Sequence, residues 1–77
     1  MCQKELKLKK AALALNIRAI RLESGLSQEK LALDAGVDRT LVSKIERQIS
    51  NPTLEILVKL SLTLKTPITT LLKDPKI

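Results

Sequence analysis

Along the amino-terminal third of the chain, Leu6, Leu13, Ile17 and Ile20 fall on one stripe at about 100° per residue, the period of an amphipathic helix. This predicts a first helix over residues 6–23, with Gly25 just past its end, where a helix terminus favours positive φ. Ser27 is placed to cap a second helix over residues 28–35, with Glu29 in the first turn, Leu31, Ala32 and Ala35 facing inward, and Gly36 closing it. Asp38 caps a third helix from Arg39 to about Gln48, whose single apolar edge is Leu41, Val42 and Ile45. Asn51-Pro52-Thr53 reads as a turn followed by a cap, opening a fourth helix from Leu54 to about Lys65. Thr66 then caps, and Pro67 suits the first position of a short last helix ending near Leu72. The expected fold class is all-α, with five helices forming one domain over residues 1–77.

Two apolar surpluses stand outside this scheme. In the fourth helix Leu54, Ile56, Leu57, Val58, Leu60, Leu62 and Leu64 spread over roughly 240° of arc, more than one core contact consumes. With the last helix they predict a two-fold interface over residues 54–72, built from Ile56, Leu60, Leu64, Ile68, Leu71 and Leu72. In the first helix Leu8, Leu15 and Leu22 form a second stripe opposite the core stripe, for which the sequence supplies no role.

The absences narrow the chemistry. No histidine is present, which removes the usual acid/base group and metal ligand. Cys2 is the only cysteine, so no intramolecular disulfide or multi-cysteine zinc site is expected, and a reducing, cytoplasmic setting fits. Without Phe, Trp or Tyr there is no stacking platform for unpaired bases, which argues against single-strand binding but leaves double-stranded nucleic acid open. Fourteen Lys and Arg against eight Asp and Glu give a net charge of +6, which favours a polyanionic partner. No run has the length of a signal peptide or a membrane span. Clustered carboxylates, a phosphate loop and an activated nucleophile are missing too, so neither an enzyme nor a cofactor or metal is expected.

Gln28 to Arg47 comprises two short helices around the tight Gly36-Val37-Asp38 turn, a spacing that crosses helices steeply rather than laying them antiparallel. Gln28, Ala32, Gly36, Val42 and Ile45 together resemble the helix-turn-helix of the phage repressor and Cro family, also called the xenobiotic-response-element family. The likeness covers about residues 13–72 and includes Ile17-Arg18-Ala19-Ile20-Arg21 and Gly25-Leu26-Ser27-Gln28-Glu29. Asp38-Arg39-Thr40-Leu41-Val42-Ser43, Ile45-Glu46-Arg47 and Asn51-Pro52-Thr53-Leu54 are similar to the controller proteins of restriction-modification systems. The resemblance implies a compact repressor-like domain with its motif at residues 28–47, and a pairing of Arg21 with Glu46 that belongs to the architecture.

The third helix makes the physical case on its own. Opposite its apolar edge lie Arg39, Thr40, Ser43, Lys44 and Arg47, a face able to enter a major groove. Arg39 and Thr40 in the first turn are the leading readers of base edges, with Ser43 and Lys44 behind them. A cation at Arg39 also works against the helix dipole, which points to an external anion. Phosphate contacts are assigned to Gln28, at the start of the second helix, and to Arg47, with Arg18, Asn51 and Lys9 or Lys10 as flanking candidates. The function expected is a sequence-specific transcription regulator that binds double-stranded DNA as a homodimer on a palindromic operator, with RNA polymerase or a cognate protein as a possible further partner. The alternative is an antitoxin-like helical interaction module, using the excess leucines, with DNA binding secondary.

Overall fold

A computed structural model describes residues 2–75 and contains five helices and, among those residues, no strand. They are α1 (Gln3–Glu23), α2 (Gln28–Ala35), α3 (Arg39–Glu46), α4 (Leu54–Leu64) and α5 (Ile68–Leu71). The all-α class expected from the pattern is what the chain adopts. Ser27, Asp38 and Thr53 each turn a side-chain oxygen to the first turn of their helix, accepting from the N–H of Lys30, Thr40 and Ile56. Each cap satisfies a donor that the helix itself cannot.

The four longer helices all stop in the same way. Two backbone bonds close each end, from Gly25 to Leu22 and Leu26 to Arg21, Gly36 to Leu33 and Val37 to Ala32, Gln48 to Ile45 and Ile49 to Lys44, and Lys65 to Leu62 and Thr66 to Ser61. This closure needs one residue in the left-handed region. Gly25 and Gly36 supply it at φ 72° and 70°, and Gln48 and Lys65 supply it at φ 64° and 53°. The third helix therefore ends at Glu46 rather than near Gln48, and the fourth at Leu64.

Two further boundaries differ from expectation. The first helix begins three residues early, because Gln3, Lys4 and Glu5 are good helix formers and Leu6 N–H already reaches Cys2 O. The last helix starts at Ile68, with Pro67 as its extended flanking residue rather than its first helical position. Thr66 does not cap it; its hydroxyl donates back to Leu64 O.

Leu13 and Ile17 of α1, Leu31 and Ala32 of α2, Val42 and Ile45 of α3, Leu60 and Leu64 of α4, and Leu71 of α5 form one buried core. Leu6, expected on that stripe, lies at the rim of the core and keeps 38% of its surface exposed. The central correction concerns the predicted interface. Leu60, Leu64 and Leu71 are buried inside this single chain and have no surface to offer a partner, whereas Ile56, Ile68 and Leu72 are half-buried around the core. The exposed apolar positions of α4 are Leu54 and Leu62, at 71% and 73%, and Val58. Leu8, Leu15 and Leu22 are each more than half exposed.

Asn16 ties the end of the chain to α1. Its Nδ2 donates towards the carbonyls of Thr70, Leu71 and Lys73, and Lys9 Nζ reaches Leu72 O and the Asp74 carboxylate. Together they close the last turn of the fold against the first helix.

Holding an L-residue in the left-handed region costs about 1–2 kcal/mol. Glycine removes that cost and adds about 0.5–1 kcal/mol of chain entropy loss. Lys65→Gly is therefore expected to stabilise the protein by about 0.5–1 kcal/mol, raising the thermal midpoint by a few degrees in a calorimetric or circular dichroism melt. A lower midpoint would contradict the assigned helix end.

Candidate nucleic-acid interface

Two eight-residue helices are too short to persist alone in water, so whatever α3 presents depends on how it is held. Val42 and Ile45 are buried beneath it against α1 and α2. Beside them an ionic clamp reaches α3 from α1. Arg21 Nε donates to Glu46 Oε2 at 2.6 Å and Arg21 Nη2 to Glu46 Oε1 at 3.0 Å, a two-pronged pair. The two side chains are only 9% and 2% exposed. Arg21 Nη1 also donates to Leu26 O in the α1–α2 turn, at 2.8 Å. Gln28 Nε2 donates to Glu46 Oε1 at 3.0 Å, so α1, α2 and α3 meet at one carboxylate, and Arg21 ties the turn to it. Among the described residues no buried side-chain nitrogen or oxygen lacks a partner.

Held this way, α3 turns its polar side outward. Arg39, Thr40, Lys44 and Arg47 are exposed and Ser43 is half-buried. Gln28, Arg39, Thr40, Ser43 and Arg47 line one shallow concave surface. Gln28 serves both sides of this arrangement: one amide N–H is taken by Glu46, and the amide has a second. Lys30 N–H at the start of α2 is already used by Ser27.

The remaining assigned residues lie elsewhere. Lys44 is exposed on α3 outside that concavity, and Arg18 is exposed on α1. Asn51 lines a different groove, with Lys9, Lys10 and Pro52. Lys9 is spent on Asp74 and the Leu72 carbonyl just past α5, so of the two lysines offered as flanking contacts only Lys10 is unpaired among the described residues. The sequence reading missed Asn16, although a polar residue between the buried Leu13 and Ile17 is the signal of a committed side chain.

Two crossed helices with a glycine turn, one pinned and polar on its outer side, define a helix-turn-helix. The family described as helix-turn-helix matches residues 17–71, and the chain belongs to that family. It is 40% identical to a hypothetical transcription factor of Neisseria meningitidis serogroup B, over 87% of this chain and 63% of that protein's length. The crystal structure of the hypothetical transcription factor NHTF from Neisseria superposes with a TM-score of 0.84 at 40% identity, over 87% of this chain and 77% of the other. The restriction-modification controller protein C.AhdI from Aeromonas hydrophila superposes with a TM-score of 0.77 at 34% identity, over 80% and 94%.

Removing one partner of a buried ion pair costs about 3–5 kcal/mol. At about 0.05–0.15 kcal/mol per residue, that is a large part of everything holding a chain of this size together. Glu46→Ala is expected to melt far below the wild type in a denaturant titration. A loss under about 1 kcal/mol, the scale of an exposed pair, would show that the clamp is not buried in solution.

Proposed function

We propose that the chain is a sequence-specific transcription regulator that binds double-stranded DNA through α3 and acts as a homodimer, in the manner of a restriction-modification controller protein. The observation that carries this reading is the division of α3: Val42 and Ile45 buried on one side, Arg39, Thr40, Lys44 and Arg47 open on the other. Arg39 suits a guanine edge by a forked pair, and Thr40 and Ser43 offer hydroxyls beside it. Arg47 and Gln28 line the same concavity and suit phosphate contacts beside the base readers. Binding rather than catalysis is the activity, and no helix among the described residues is long and apolar enough to cross a membrane.

The dimer reading moves to other residues of the same helix. Leu54, Val58 and Leu62 are spaced four apart, so they stand in one row along α4, and they are exposed. Pairing that row across a two-fold axis would set two copies of α3 about 34–36 Å apart, one helical turn, and require a roughly palindromic site.

Selection of bound duplexes from a random pool tests the core of the proposal, the expected result being an inverted repeat with half-sites one turn apart. Arg39→Ala is expected to narrow the gap between selected and random duplex by about 1–3 kcal/mol, while Arg47→Ala weakens both alike. Equal losses on both from Arg39→Ala would remove it from the readers. For the dimer, Leu62→Asp should give a monomer in sedimentation that still folds, because the side chain is exposed within one chain, but whose melt no longer rises with protein concentration. An unshifted sedimentation profile would exclude this face.

A further inference from the structure

Among the described residues, three exposed ion pairs neutralise part of the surface charge, Lys9–Asp74, Lys30–Asp34 and Lys59–Glu55, and Arg21–Glu46 is buried. Arg39, Lys44 and Arg47 of α3 and its end have no carboxylate partner among the described residues, and neither do Lys4, Lys7, Lys10 and Arg18 of α1 or Lys65 and Lys73; of the α1 lysines, Lys7 and Lys10 are the two that line one groove with Gln48, just after α3. Lys7 and Lys10 are one turn apart on one helix face. Both line a groove with Gln3 and Gln48, and Gln48 directly follows Arg47. Its left-handed backbone is what brings the chain around from α3 to this groove. Lys10 also borders the neighbouring groove with Asn51 and Pro52, so the whole segment after α3 runs beside the unpaired lysines of α1.

We propose that Lys7 and Lys10 form a second phosphate-binding surface, continuous with Arg47 through the Gln48 turn, that carries the protein's grip on a duplex past the α3 face. It is a polyanion contact without base reading, since ammonium groups on flexible stems bind phosphate as point charges. The inference rests on the duplex-binding reading above.

The test measures affinity for a random-sequence duplex of about 30 base pairs, three helical turns, across a series of salt concentrations. Each phosphate neutralised contributes about 0.9 to the slope of log affinity against log salt. Replacing Lys7 and Lys10 together by Gln is expected to flatten the slope by about 1.8 per protomer. Lys65→Gln with Lys73→Gln removes the same net charge from residues outside these grooves and is expected to leave the slope unchanged. Lys7→Arg with Lys10→Arg should restore it. Equal flattening by both Gln pairs, or none by the Lys7 and Lys10 pair, overturns the proposal, as does a Lys7 and Lys10 variant that no longer folds. A wild-type slope near zero would instead overturn duplex binding itself.

Discussion

The carboxylate of Glu46, held by Arg21 from one helix and Gln28 from another, is the constraint on which the remaining geometry rests. Apolar packing under Val42 and Ile45 fixes how close α3 lies to the core but, being non-directional, does not fix its rotation. A forked guanidinium–carboxylate pair does, because both of its bonds must stay in plane. A buried ion pair adds little net stability over a well-packed apolar substitute, so its contribution here is to orientation. Rotated by one residue, α3 would carry Ser43 or Lys44 towards the core and Val42 out of it. Function and fold therefore share one side-chain cluster, in which the groups facing inward determine which groups face outward.

Electrostatics divide the surface in the same manner. The i,i+4 pairs Lys30–Asp34 and Lys59–Glu55 are exposed and worth little in stability, yet they cancel positive charge on α2 and α4. Arg39, Lys44 and Arg47 at α3 and Lys4, Lys7 and Lys10 at the start of α1 keep their charge, as do Arg18, Lys65 and Lys73 elsewhere among the described residues. Of the net charge of +6, the outward side of α3 keeps its share uncancelled, which favours a polyanion there.

Much of this is legible in the sequence, and the failures have two causes. Helix ends marked by Gly25 and Gly36 were placed correctly because glycine advertises the left-handed position. Those at Gln48 and Lys65 use the same backbone closure without glycine, and both helices were read too long. Caps at Ser27, Asp38 and Thr53 were recognised because hydroxyl and carboxylate groups at those positions have one dominant local use. Assigning Leu60, Leu64 and Leu71 to an interface went wrong for another reason: hydrophobic periodicity finds an apolar face but not what covers it. In α4 the core takes one row and leaves another, Leu54, Val58 and Leu62, and only the packing of α2 and α5 decides which. The concavity of Gln28, Arg39, Thr40, Ser43 and Arg47 was readable because those residues share one motif, whereas the proximity of Lys7 to Gln48 is a tertiary fact.

The most direct test of the central claim is a backbone amide shift titration with a selected duplex, coupled to hydrogen exchange in the free protein. The account predicts that the largest shifts fall on residues 28 and 39–47, and that the amides of Val42, Ile45 and Glu46 already exchange slowly before any duplex is added. Fast exchange at those three positions, or shifts confined to α4 and α5, would mean that α3 is not the pinned, outward-facing element described here.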